Sequence, residues 1–156
     1  MIIRVPELSE EVRHVDFQEP AAAVNEVLAS SPRLADQRLA DDVAIDAELY
    51  RHGSDVYFSG RLEGQVHCTC TRCLDEFEWS LARDFKFLIV KAGLSDSPED
   101  DTGVDHYSGD ELDLGPLVRE QTVLAMESSV LCSDDCKGLC AGCGANLNSD
   151  PCTCEK

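Results

Sequence analysis

The sequence predicts an α+β protein: a bent antiparallel sheet or partial barrel, covered by short helices, with a zinc-stabilised cysteine-rich C-terminal tail. Three observations carry that expectation. Two long stretches alternate apolar and polar residues on either side of Cys70-Thr-Arg-Cys73. Two shorter stretches, near 20–29 and 114–128, place apolar residues at helical spacing. Six of the nine cysteines fall in the last 25 residues.

Residues 1–18 read as an extended, partly apolar segment. Pro20 suits the first turn of a helix over about 20–29, with Val24, Val27 and Leu28 on one face, and Ser30-Ser31-Pro32 ends it. The sheet is expected from about 39 to 92. Val43, Ile45, Ala47 and Leu49 alternate with polar residues, and a turn follows over Arg51–Asp55. Every even position from 56 to 70 is then apolar, small or cysteine. Gly60 and Gly64 in that run are natural points for a bend. After Cys73 the apolar set moves to odd positions: Phe77, Trp79, Leu81, Phe85, Phe87 and Ile89. The two runs therefore predict a hairpin with Cys70 and Cys73 at its tip.

Residues 93–111 carry seven acids and no Lys or Arg, and read as a flexible acidic loop. Asp113 is placed to cap a helix of about 114–128, with Leu114, Leu117, Val118, Leu124 and Ala125 as its buried stripe. The domain division expected is a core over 1–130 and a metal-binding tail over 131–156.

A formal net charge of −18 makes a direct grip on a phosphate backbone unfavourable unless basic residues cluster. A filled four-thiolate zinc site would add two more negative charges. A basic protein is the easier direct partner. Arg4, Pro6 and Glu7 interrupt any apolar leader, and no apolar run approaches the roughly 20 residues that span a bilayer. A cytoplasmic location, no membrane partner and reduced thiols are therefore expected. An odd number of cysteines also suits a closed disulfide set poorly.

Zinc binding accounts best for the cysteines. Tetrahedral zinc takes four thiolates, and each Cys-x-x-Cys turn delivers two. Cys140, Cys143, Cys152 and Cys154 read as one site. Cys132, Cys136, Cys70 and Cys73 are candidates for a second, which would tie the tail to the hairpin tip. Cys68 is left over, either buried or exchanging with Cys70. One site with two spare tail cysteines remains the alternative, so one or two zinc ions are expected. A redox Cys-x-x-Cys belongs at a helix N-terminus, whereas this one lies between strands. No Ser/His/Asp set, HExxH, P-loop or GxGxxG is present, and all-cysteine sites are mostly structural. An enzyme is not expected.

Cys-Thr-Arg-Cys-Leu at 70–74, Leu-Asp-Leu-Gly at 112–115 ahead of a helix, and the cysteine-rich run at 131–148 resemble the YceD family. These are the bacterial and plastid large ribosomal RNA subunit accumulation proteins. The resemblance runs from about residue 40 onward. It implies a non-catalytic role in accumulation of 23S ribosomal RNA and in large-subunit biogenesis. Added to the charge argument, it suggests binding of a large-subunit precursor through a basic ribosomal protein or assembly factor. RNA would be touched through a local patch around Arg72, Arg83, Lys86 or Lys137. The alternative of a different class is a thiol- or zinc-responsive regulator, which would need an exposed, low-pKa cysteine.

Overall fold

The computed structural model describes residues 1–93, 104–152 and 154. In chain order the elements are β1 (Ile2–Arg4), a 3-10 turn (Val5–Glu7), β2 (Arg13–Glu19), α1 (Ala21–Ser30), β3 (Arg38–Leu39) and β4 (Val43–His52). They continue with β5 (Asp55–Thr69), β6 (Glu76–Lys91), β7 (Asp105–Tyr107), β8 (Glu111–Asp113) and α2 (Gly115–Ala125). The main sheet has the order β2-β4-β5-β6-β7, with β3 paired to β5 off that path. The edge strands β2 and β7 do not pair with each other, so the sheet is open rather than a closed barrel. β1 and β8 form a separate two-stranded pair.

The alternation read from the sequence is the alternation that builds the sheet. Val56, Phe58, Leu62 and Val66 of β5 are fully buried, and so is Ile89 of β6, with Leu81 and Phe85 nearly so. The Phe58 and Phe85 rings pack with centroids 4.9 Å apart. Val24 and Leu28 of α1, with Leu114 and Val118 at α2, close over this face. Each such side chain contributes roughly 1.5–3 kcal/mol on burial. β5 and β6 stay in antiparallel register from Val56↔Ile89 to Thr69↔Glu76, which holds residues 70–75 out as the hairpin tip.

Several expectations need correction. The sheet starts before residue 39, because β2 pairs with β4 from Arg13↔Leu49 to Glu19↔Val43. Val15 and Phe17 alternate there with Asp16 and Gln18, a signal two apolar residues long that pairing with β4 completes. The expected loop over 93–111 ends early. Asp105–Tyr107 adds to the sheet edge in parallel with β6, and buried Tyr107 donates a hydrogen bond to the Ser54 carbonyl at 2.8 Å. Residues 94–103 lie outside the described residues. Val27 and Leu124, expected inside, are 44% and 57% exposed. Thr122 takes a core position instead. Its hydroxyl is satisfied by the Val118 carbonyl at 2.8 Å, so a polar residue sits inside without loss. Asp113 does serve the start of α2, accepting from the Gly115 amide at 3.0 Å.

Gly60 is where a side chain cannot be added. A Cβ there would lie 2.3 Å from the Asp46 carbonyl oxygen and 2.5 Å from the Ala47 Cβ across the β4–β5 pair. Both contacts are to backbone or to its first side-chain atom, so the strands must move apart. Gly60→Ala is expected to cost about 1–3 kcal/mol, read as a lower urea midpoint at unchanged slope.

Candidate metal centres

Two cysteine quartets, each able to hold a metal ion, form at the end of the hairpin. The inner one joins Cys70 and Cys73 of the tip to Cys132 and Cys136 of the tail. The outer one is made by Cys140, Cys143, Cys152 and Cys154. In each, the four sulfurs lie within 4.8 Å of one another. The inner set has Cys70–Cys136 at 3.8 Å and Cys73–Cys132 at 3.6 Å. The outer set has Cys140–Cys152 at 3.2 Å, Cys140–Cys154 at 3.9 Å and Cys143–Cys152 at 3.9 Å. Four sulfurs about 2.3 Å from a tetrahedral ion stand about 3.8 Å apart, so both sets fit zinc. All nine cysteines are free thiols.

The two Cys-x-x-Cys turns are built alike. The Leu74 amide donates to the Cys70 carbonyl at 3.0 Å, and the Gly144 amide to the Cys140 carbonyl at 2.9 Å. The Cys70 amide closes on the Asp75 carbonyl, and the Cys140 amide on that of Ala145, both at 2.8 Å. Each loop thus points two sulfurs inward while its amides surround them. Side-chain and backbone donors also face the sulfurs, as in Asn148 Nδ2 to Cys136 and the Gly142 amide to Cys140, both at 3.4 Å.

The residue after the second cysteine differs. It has positive φ in both turns, +74° at Gly144 and +62° at Leu74. Glycine adopts that conformation freely, while an L side chain meets a cost of roughly 1–2 kcal/mol there. Leu74 is the one positive-φ residue other than glycine among the described residues, and it is 62% exposed.

The thiols respond to this crowding. Burial opposes ionisation of Cys70, but the Cys73, Cys132 and Arg72 amides outweigh it and bring the thiol down to about 6. The Cys143 amide, aided by Cys152 and the Gly142 amide, lowers Cys140 to about 6. Cys143, Cys152 and Cys140 push Cys154 up to about 11. One thiolate per quartet forms readily, and its neighbours then resist. A bound dication removes that resistance, which is the chemistry of a metal site.

The tail is fastened to the tip by more than cysteine. Leu139 donates to the Arg72 carbonyl, and Thr71 to that of Val130, both at 3.0 Å. Asn146 Nδ2 reaches Asp75 at 2.7 Å. Gly138, at φ +73°, lets the tail backbone approach Arg72, since a Cβ there would meet its carbonyl oxygen at 3.0 Å. The sequence patterns did not signal this web of backbone contacts.

Cys68 stays outside both quartets. It is buried, donates to the Phe77 carbonyl at 3.9 Å, and burial pushes its thiol up to about 11. Of the four basic residues expected to form an RNA patch, Arg72 lies against the tail segment that carries Lys137, while Arg83 and Lys86 sit on opposite faces of β6. Arg72 Nη1 is held by the Cys136 carbonyl at 3.2 Å. Arg83 bonds Gln121 and the Leu124 carbonyl at the end of α2. Lys86 lies on the opposite face of β6, in a hollow of about 570 Å³ shared with Asp46, Glu48, Glu63 and Asp84. Lys137 lies in the tail beside Asp135.

The family described as "Large ribosomal RNA subunit accumulation protein YceD" matches residues 58–156. The chain belongs to the YceD family. Both cysteine quartets lie inside the matched span, so the YceD match covers the hairpin tip and the tail together. Two plant proteins, each named "Large ribosomal RNA subunit accumulation protein YCED homolog 1, chloroplastic", are similar to the chain. The one from Zea mays is 23% identical over 142 residues, covering 72% of this chain and 48% of the relative. The one from Arabidopsis thaliana is 23% identical over 141 residues, covering 73% and 44%. The chain spans about half the length of the curated relatives it matches. No solved structure matches it. Among the described residues no helix is long and apolar enough to cross a membrane.

Proposed function

We propose that this protein is a non-catalytic cytoplasmic factor that promotes accumulation of 23S ribosomal RNA and biogenesis of the large subunit. The observation that carries this reading is the YceD match over residues 58–156. In this reading both quartets hold zinc, whose role is to fix the tail on the hairpin tip. The protein meets a large-subunit precursor through a basic ribosomal protein or assembly factor. Supporting this are the charge of −18 and the engagement of Arg72 and Arg83 with backbone carbonyls of the protein itself.

Depleting the protein from growing cells tests the role. The ratio of 23S to small-subunit ribosomal RNA is expected to fall, with large-subunit precursors accumulating. An unchanged ratio with normal subunit profiles would remove the proposal.

The exposure of the outer quartet favours a second reading, a thiol- or zinc-responsive regulator. Cys143, Cys152 and Cys154 are exposed, whereas Cys70, Cys73 and Cys136 are buried. Thiol titration of the zinc-loaded protein separates the readings. Structural zinc keeps nearly all nine thiols slow, while a sensor leaves one or two fast ones.

A further inference from the structure

We infer that Leu74, at the tip of the first Cys-x-x-Cys turn, is the apolar anchor of a docking surface for a basic polypeptide. This rests on the protein-partner reading above and gives it a place on the molecule.

Three observations point there. The first is the comparison of the two turns. They share the same backbone hydrogen bonds, and the outer one places glycine where the conformation asks for it. The inner one places leucine there, at φ +62°. Nothing in the fold compensates, because the side chain is 62% exposed and belongs to neither buried cluster. A large apolar group kept both strained and in water is better explained by what covers it in a complex.

The second observation is rigidity. The backbone on both sides of Leu74 is pinned. Cys73 enters the inner quartet, and Asp75 is held by the Cys70 amide at 2.8 Å and by Asn146 at 2.7 Å. Docking onto a surface already ordered avoids the entropy of ordering it.

The third is charge, which selects the partner. A hollow of about 290 Å³ begins at the next residue, Asp75, and continues along Cys132, Ser133, Asp135, Lys137 and Asn148. Its two carboxylates, Asp75 and Asp135, are both exposed, against the single ammonium of Lys137. The one nearby guanidinium, Arg72, is turned onto the Cys136 carbonyl. An exposed apolar side chain next to a hollow that carries Asp75 and Asp135, on a chain of net charge −18, suits a Lys- or Arg-bearing segment that lays an apolar residue on Leu74 and its cations on those acids.

The test uses the full-length zinc-loaded protein, immobilised, and the nuclease-treated protein fraction released from large ribosomal subunits by high salt. Wild type, Leu74→Gly and Leu74→Asn are compared, since Gly and Asn both accept positive φ. Zinc content and melting temperature are expected to hold or rise in both variants, because strain is relieved. Binding of the basic protein captured by wild type is expected to weaken roughly tenfold or more. Equal capture by wild type and both variants would overturn the role of Leu74 and leave the partner reading standing. No capture by wild type, or capture that vanishes with nuclease, would overturn both. A variant that loses zinc as well as binding would show Leu74 to be a structural residue and would also overturn the inference.

Discussion

On the proposal that both quartets hold zinc, replacing Cys73 with serine is expected to halve the zinc bound per chain and to free the tail from the hairpin tip. Cys73 stands in the inner quartet with Cys70, Cys132 and Cys136, residues separated by about 60 positions in sequence but by 3.6–3.8 Å between paired sulfurs. Structural zinc of this kind contributes on the order of 10 kcal/mol of apparent binding energy, comparable to the stability of a whole domain at about 5–15 kcal/mol. What holds the tail otherwise is a handful of hydrogen bonds, such as Leu139 to Arg72 and Asn146 to Asp75, each contributing about 1 kcal/mol net. They do not suffice alone. The main core, from Phe58 to Ile89, belongs to a separate cluster from Cys70, Cys73 and Cys136, so the sheet should survive. Cys143→Ser provides the contrast. It should also remove one zinc, yet leave residues 130–139 protected, because the tether is the inner site. Metal analysis paired with amide exchange reads both. Equal exchange in the two variants would contradict the division of labour.

Arg119→Ala is expected to be strongly destabilising for a change at a partly exposed residue. Glu19, at the end of β2, has a side chain only 3% exposed, and Arg119 of α2 is its ion-pair partner. The pair ties the sheet edge to the helix lid. Removing the guanidinium strands a carboxylate in a dry site, where an uncompensated charge costs about 3–5 kcal/mol. Glu19→Gln should cost less, because Arg119 is 31% exposed and can turn to water. Chemical denaturation of the two variants gives the order. Equal losses would mean that burial of Glu19 is not what sets the cost.

The sequence made the sheet legible where one face is buried and the other wet, since alternation then has to be strict. That condition holds along β5 and β6, and the hairpin with Cys70 and Cys73 at its tip follows from it. It also holds at β2, where Val15, Phe17 and Glu19 face the core and His14, Asp16 and Gln18 face out, but an acid takes the third inward position and leaves only two apolar residues to show it. It fails at β7, three residues long and set by pairing with β6 rather than by pattern. Helix positions were legible, but their faces less so. Val27 and Leu124 point out, and Thr122 points in, because packing against the sheet decides the buried stripe. The cysteine types and spacing were enough to suggest two quartets. The strain at Leu74 was not readable at all, since φ belongs to the folded turn and leucine carries no signal for it.

The central claim is that this protein works on the large subunit through a basic protein partner. Affinity purification from growing cells, in buffer without chelator and with a nuclease-treated control, tests it most directly, with RNA and proteins identified together. The account predicts a large-subunit precursor with its proteins, and at least one basic protein still bound after nuclease. Recovery of RNA with no protein surviving nuclease would contradict it, and so would recovery of neither.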